Sequence, residues 1–66
     1  MHITFYDDTA SRMGTTDGTP PSVGERVWCG DWYVVTRREW FLNRSRIHQD
    51  ELQQGAEVYM RLEAAP

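Results

Sequence analysis

Apolar and polar side chains alternate at both ends of this chain. In His2-Ile3-Thr4-Phe5-Tyr6, Ile3 and Phe5 fall on one side, and His2, Thr4 and Tyr6 on the other. β-Branched and aromatic residues fill the run, which predicts a strand that Asp7-Asp8 terminates. The run Glu57-Val58-Tyr59-Met60-Arg61-Leu62-Glu63 alternates without error. Val58, Met60 and Leu62 are expected inward, with Glu57, Tyr59, Arg61 and Glu63 outward, as in a sheet that faces water on one side. Between these ends, Val23–Cys29 and Trp32–Leu42 are β-rich runs separated by Gly30-Asp31, and glycine opening a two-residue loop predicts a hairpin. That turn sets Cys29 opposite Trp32, Trp28 opposite Tyr33 and Val27 opposite Val34. Val27, Cys29, Trp32 and Val34 form the uncharged face and are the expected core side. Arg26, Trp28, Tyr33 and Val35 form the other, expected to be partly exposed. Strict alternation would carry the Val34 face on through Thr36, Arg38, Trp40 and Leu42 and bury an arginine. A bulge or bend at 36–38 is therefore expected.

The remaining stretches are less patterned. Residues 9–22 hold few large apolar side chains, and Gly14, Gly18 and Pro20-Pro21 predict a flexible loop or a poorly paired ribbon there. Ser45 to Gln54 contains helix formers, a cap at Ser45 and a stop at Gly55, which allows one short helix at 46–54. The expected fold is mostly β: a small curved antiparallel sheet, or a partly open SH3-like barrel, of about four strands. With 66 residues the chain makes a single small domain, 1–66. Its three tryptophans, three tyrosines and two phenylalanines supply the apolar area that such a short chain needs to fold.

The segment Pro21-Ser22-Val23-Gly24-Glu25-Arg26-Val27, the hairpin, Trp32-Tyr33-Val34-Val35 and the closing strand together resemble small uncharacterised proteins of bacteriophages and prophages. Those proteins also open with an extended strand ending in acidic residues, as His2 to Asp8 does. The resemblance covers about two-thirds of the chain and implies a phage or prophage origin and a β-rich fold. It implies no activity.

Charge and residue inventory narrow the function classes. No apolar run approaches the ~18–20 residues that span a bilayer, and no basic-then-apolar leader is present, so no membrane association and a cytoplasmic location are expected. Ten acidic against seven basic residues give a net charge of −3, the wrong sign for a general nucleic-acid binder. All the basic residues are arginines, which a GC-rich genome explains. The lone Cys29 beside a tight turn reads as a small buried hydrophobe rather than a nucleophile. Cys29, His2 and His48 lack the spacing of a metal site, so neither a metal nor another cofactor is expected. Asp7-Asp8 and Asp50-Glu51 read as solvated charges at element ends. No phosphate loop or nucleophile elbow occurs, and the expectation is that the protein is not an enzyme.

Binding chemistry is better represented. Arg37, Arg38, Arg44, Arg46 and His48 cluster around Trp40 and Phe41, and Trp28 and Tyr33 share a face nearby. Arginine and aromatic side chains are enriched at protein–protein hot spots and also stack on bases. The plainer account makes Trp40 and Phe41 core and the arginines a solvated rim. The expected function is a small interaction module that binds or inhibits a host or phage protein. The alternatives are an accessory phage component that self-associates through sheet edges, or a weak nucleic-acid binder.

Overall fold

The computed structural model describes residues 1–44 and 52–64. Five strands occur among them: β1 (His2–Tyr6), β2 (Arg12–Asp17), β3 (Arg26–Trp28), β4 (Trp32–Arg44) and β5 (Leu52–Leu62). They form one curled, open sheet in the order β2-β1-β5-β4-β3, a half-barrel. The expected mostly-β curved sheet is present, with five strands rather than four and one parallel pairing, β1 on β5, among antiparallel ones. The extra strand is β2, inside the stretch expected to be a loop or a poorly paired ribbon. The helix expected at 46–54 is excluded at Leu52–Gln54, which pair with Leu42–Arg44; the rest of that range lies outside the described residues.

Alternation puts a small core on the concave side. Ile3, Val35, Val58 and Met60 are buried there, with Phe5, Met13, Val27 and Tyr33 packed around them. Ile3 pairs with Ala56 and Phe5 with Val58, so the inward faces of β1 and β5 coincide as their patterns require. Met13 joins them from a bulge: Phe5 pairs with Gly14 and Tyr6 with Arg12, leaving Met13 unpaired and turned to the core. Leu62 does not follow its pattern. It is 56% exposed, because β1 reaches no further along β5 than Tyr59 and leaves nothing to cover it.

The hairpin joins β3 to β4 at the expected place but one residue out of the expected register. Trp28 pairs with Trp32, Val27 with Tyr33 and Arg26 with Val34, so the connection is Cys29-Gly30-Asp31. Gly30 takes φ +74° in the middle of this loop, a conformation natural to glycine. The Asp31 carboxylate accepts the Trp32 N–H at 2.7 Å. A one-residue slip exchanges the faces of β4 relative to β3. Val27, Tyr33 and Val35 are concave, with Val35 paired to Met60, whereas Arg26, Trp28, Trp32 and Val34 are convex. Cys29 is consequently exposed rather than buried.

The bulge expected at 36–38 is present at Thr36, where the register jumps from Val35–Met60 to Arg37–Tyr59. Its hydroxyl donates to the Tyr59 carbonyl at 3.2 Å. Because the hairpin faces are exchanged, the bulge brings Arg38, Trp40 and Leu42 to the concave side instead of sparing Arg38. The half-buried guanidinium is accommodated by a long 3.4 Å hydrogen bond to the Pro20 carbonyl, from a loop that crosses the concave side.

Asp7 organises the turn from β1 to β2. Its Oδ1 accepts from the Thr9 N–H at 2.8 Å, the Thr9 hydroxyl at 2.6 Å and the Ser11 N–H at 3.0 Å. The Thr9 hydroxyl, and then Ser11, hold this carboxyl below its ordinary 3.8. A depressed folded value means that the contribution is complete above 3.8 and is lost as pH falls through the lower value. Protection of the Thr9 and Ser11 amides, measured by NMR as exchange relative to the intrinsic rate at each pH, should therefore fall on acidification below about pH 4. Asp7→Asn, which keeps an acceptor but does not titrate, should remove that pH dependence; an unchanged profile would refute the assignment.

Candidate protein-interaction surface

A curled sheet with two free edges leaves a seam. β2 and β3 are the outermost strands, they do not pair, and no Cα of one lies within 8 Å of a Cα of the other. Between them opens a cleft of about 280 Å³. Phe5, Met13, Val27 and Met60 line it, Gly14, Thr15 and Thr16 form the β2 side, and Trp28 and Cys29 the β3 side. The result is an apolar floor between two strand edges whose outward N–H and C=O groups have no partner strand.

An aromatic corner adjoins the seam. Trp28 is 62% exposed and meets Trp32 edge-on, with ring centroids 5.3 Å apart. The Arg26 guanidinium lies 4.0 Å from the Trp32 ring centroid, and its Nε contacts Glu63 Oε2 at 2.6 Å. A pair this exposed adds little stability, but it fixes the arginine over the ring and so orients the corner.

The arginine–aromatic cluster read from the sequence is divided by the pleat. Arg37 is convex, stacked 4.0 Å from the Tyr59 ring centroid and 3.5 Å from the Glu39 carboxylate. Tyr59 stacks on Tyr6 in turn at 5.1 Å. The Tyr59 hydroxyl donates to Glu57 Oε2 at 3.0 Å, and this bond, with some desolvation, raises its pKa above 10.0. Arg38 is concave, 5.2 Å from the ring centroid of Trp40, which is 54% exposed and not core. Tyr33 packs against the core, whereas Trp28 is at the aromatic corner. Arg44 ends β4 opposite Leu52, and Arg46 and His48 lie outside the described residues. Of the described members, Arg37 and Trp28 thus lie on the convex side and Arg38, Trp40 and Tyr33 on the concave side.

The seam itself escaped the sequence reading. Its β2 wall is a run of small polar residues with Met13 as the only large apolar side chain, and that methionine was the available signal. Among the described residues no three potential ligands gather into a metal site, and no helix is long and apolar enough to cross a membrane. Comparison with protein-family models, curated proteins and solved structures gives no match.

Proposed function

We propose that this protein is a binding module, not a catalyst, that takes an extended segment of a partner protein at the seam between β2 and β3. The observation that carries this reading is the unclosed seam itself. Strands in a sheet stand about 4.8 Å apart, so one guest strand bonded to both edges needs them roughly 9.6 Å apart. No Cα of one edge lies within 8 Å of the other, so the two edges do not close on each other directly. A guest strand would obtain main-chain hydrogen bonds from either edge and place alternate apolar side chains over Phe5, Met13 and Met60, the mode by which many domains capture peptides. The exposed Trp28–Trp32 corner adds the residue type that most often anchors such contacts. The phage-like features of the sequence favour a host or phage protein as partner, with inhibition of a host protein as the sharper form. The net charge of −3 argues against nucleic acid.

The test is site-specific photo-crosslinking in a bacterial host. A photoreactive residue replacing Thr16 or Trp28, on opposite sides of the seam, should capture one and the same partner. The same residue replacing Glu57, in the middle of the convex face, should not. Capture only from Glu57, or different partners from Thr16 and Trp28, would overturn the proposal.

A further inference from the structure

A second free edge lies away from the seam. β3 pairs with β4 only at Trp32–Val34, and Glu25 and Gly24 extend the contact to Val35. From Thr36 to Arg44, β4 has β5 on one side and, among the described residues, no strand on the other. Nine residues of strand backbone have no strand partner on that side, and the concave side chains along them include Trp40, 54% exposed, and Leu42, 57% exposed. An open edge of that length is a template for another strand, and two-fold pairing with an identical edge closes it without propagating into a fibre.

We infer that a second copy of this chain occupies the edge, β4 pairing antiparallel with β4 about a two-fold axis at Trp40. Trp40 is the midpoint of Thr36–Arg44, so this register uses the whole free edge. It aligns Trp40 with its own equivalent, Arg38 with Leu42 of the second copy, Glu39 with Phe41, Arg37 with Asn43 and Thr36 with Arg44. No like charges are opposed. Shifting the axis to Arg38 or to Glu39 sets each of those residues against itself, and shifting it to Phe41 sets Arg38 against Arg44; like charges directly opposite destabilise a strand pair. Side-chain faces are preserved by the rotation, so the two exposed Trp40 rings meet on the concave side and cover one another. The product is a continuous ten-stranded sheet in which both seams stay open, so this inference stands apart from the function proposed above.

Sedimentation velocity over a wide concentration range should show a monomer–dimer equilibrium for the unaltered protein. Trp40→Lys should sediment as a monomer while its far-ultraviolet circular dichroism is unchanged, since this side chain is exposed. Trp28→Lys should leave the dimer intact. With Cys29→Ser as background, Trp40→Cys should give a disulfide-linked dimer on mild oxidation, because Cα atoms facing across a strand pair stand within disulfide reach. Trp28→Cys in the same background should not. A monomer at every concentration, a dimer that survives Trp40→Lys, or crosslinking as strong through Trp28→Cys would overturn the inference.

Discussion

Met60→Ala should cost about 2–5 kcal/mol, the usual range for removing a long apolar side chain from a closed core. Met60 is fully buried, and among the described residues only Ile3, Val35 and Val58 accompany it as large side chains under 2% exposed. A domain of this length has roughly 3–10 kcal/mol to lose in total. The substitution therefore takes a large part of the fold's stability, because no second layer of side chains can collapse into the space. Leu62→Ala is the matched control: it removes a similar apolar group from the same strand, but from a position 56% exposed. Denaturant titration should show a midpoint far below the parent's for Met60→Ala and nearly unchanged for Leu62→Ala. Equal shifts would mean that the core is not where the burial places it.

Gly55→Val should cost about 1–3 kcal/mol, and for a different reason. Gly55 lies in the interior of β5, paired with both His2 and Phe41. The end of the Phe41 ring occupies the space that a Cβ on Gly55 would enter. An aromatic ring laid over a strand glycine supplies the packing that the glycine lacks. A side chain at 55 must displace the ring, so Phe41→Ala in the same molecule should relieve part of the damage. The double variant should be more stable than the sum of the two single losses predicts, the signature of two groups in contact. Strictly additive losses would show that the ring does not depend on Gly55.

Much of this architecture was legible in the residues. The inward sets Ile3–Phe5 and Val58–Met60 follow from period-two alternation, and the bulge at Thr36 follows from the length and drift of its strand. β2 was hidden because Arg12-Met13-Gly14-Thr15-Thr16-Asp17 forms an edge with one apolar contributor, and that contributor is displaced by a bulge. Hydrophobic alternation cannot announce a strand whose own side chains bury so little. The hairpin slipped by one residue because glycine serves in the first position of a two-residue loop and in the middle of a three-residue one. Sequence spacing does not separate the two, yet the choice exchanges the two faces of β4 while Val27 stays inward and Trp28 outward. The longer loop took Cys29 out of the strand, and the exchange brought Trp32 to the convex side beside Trp28 and drew Arg38 inward. The binding surface was the least legible feature, since a seam is a property of two edges that curvature brings to face each other, not of any one segment.

The parallel union of β1 with β5 has a consequence for the order in which this protein can be made. β1 is synthesised first, and β2 can pair with it at once through the five-residue turn at Asp7–Ser11. The apolar side of that hairpin, Ile3 and Phe5, has its cover on Ala56 and Val58, which leave the ribosome after the other four strands. No intermediate length of nascent chain can bury the core. Folding must wait until translation has passed Met60, and until then Ile3 and Phe5 are open to chaperones. Pairings this remote in sequence also slow the search for the native state, because loop closure must precede every contact that rewards it. A stalled chain ending before Gly55 should remain as sensitive to protease as an unfolded one, whereas a released chain that includes all of β5 should gain protection in a single step.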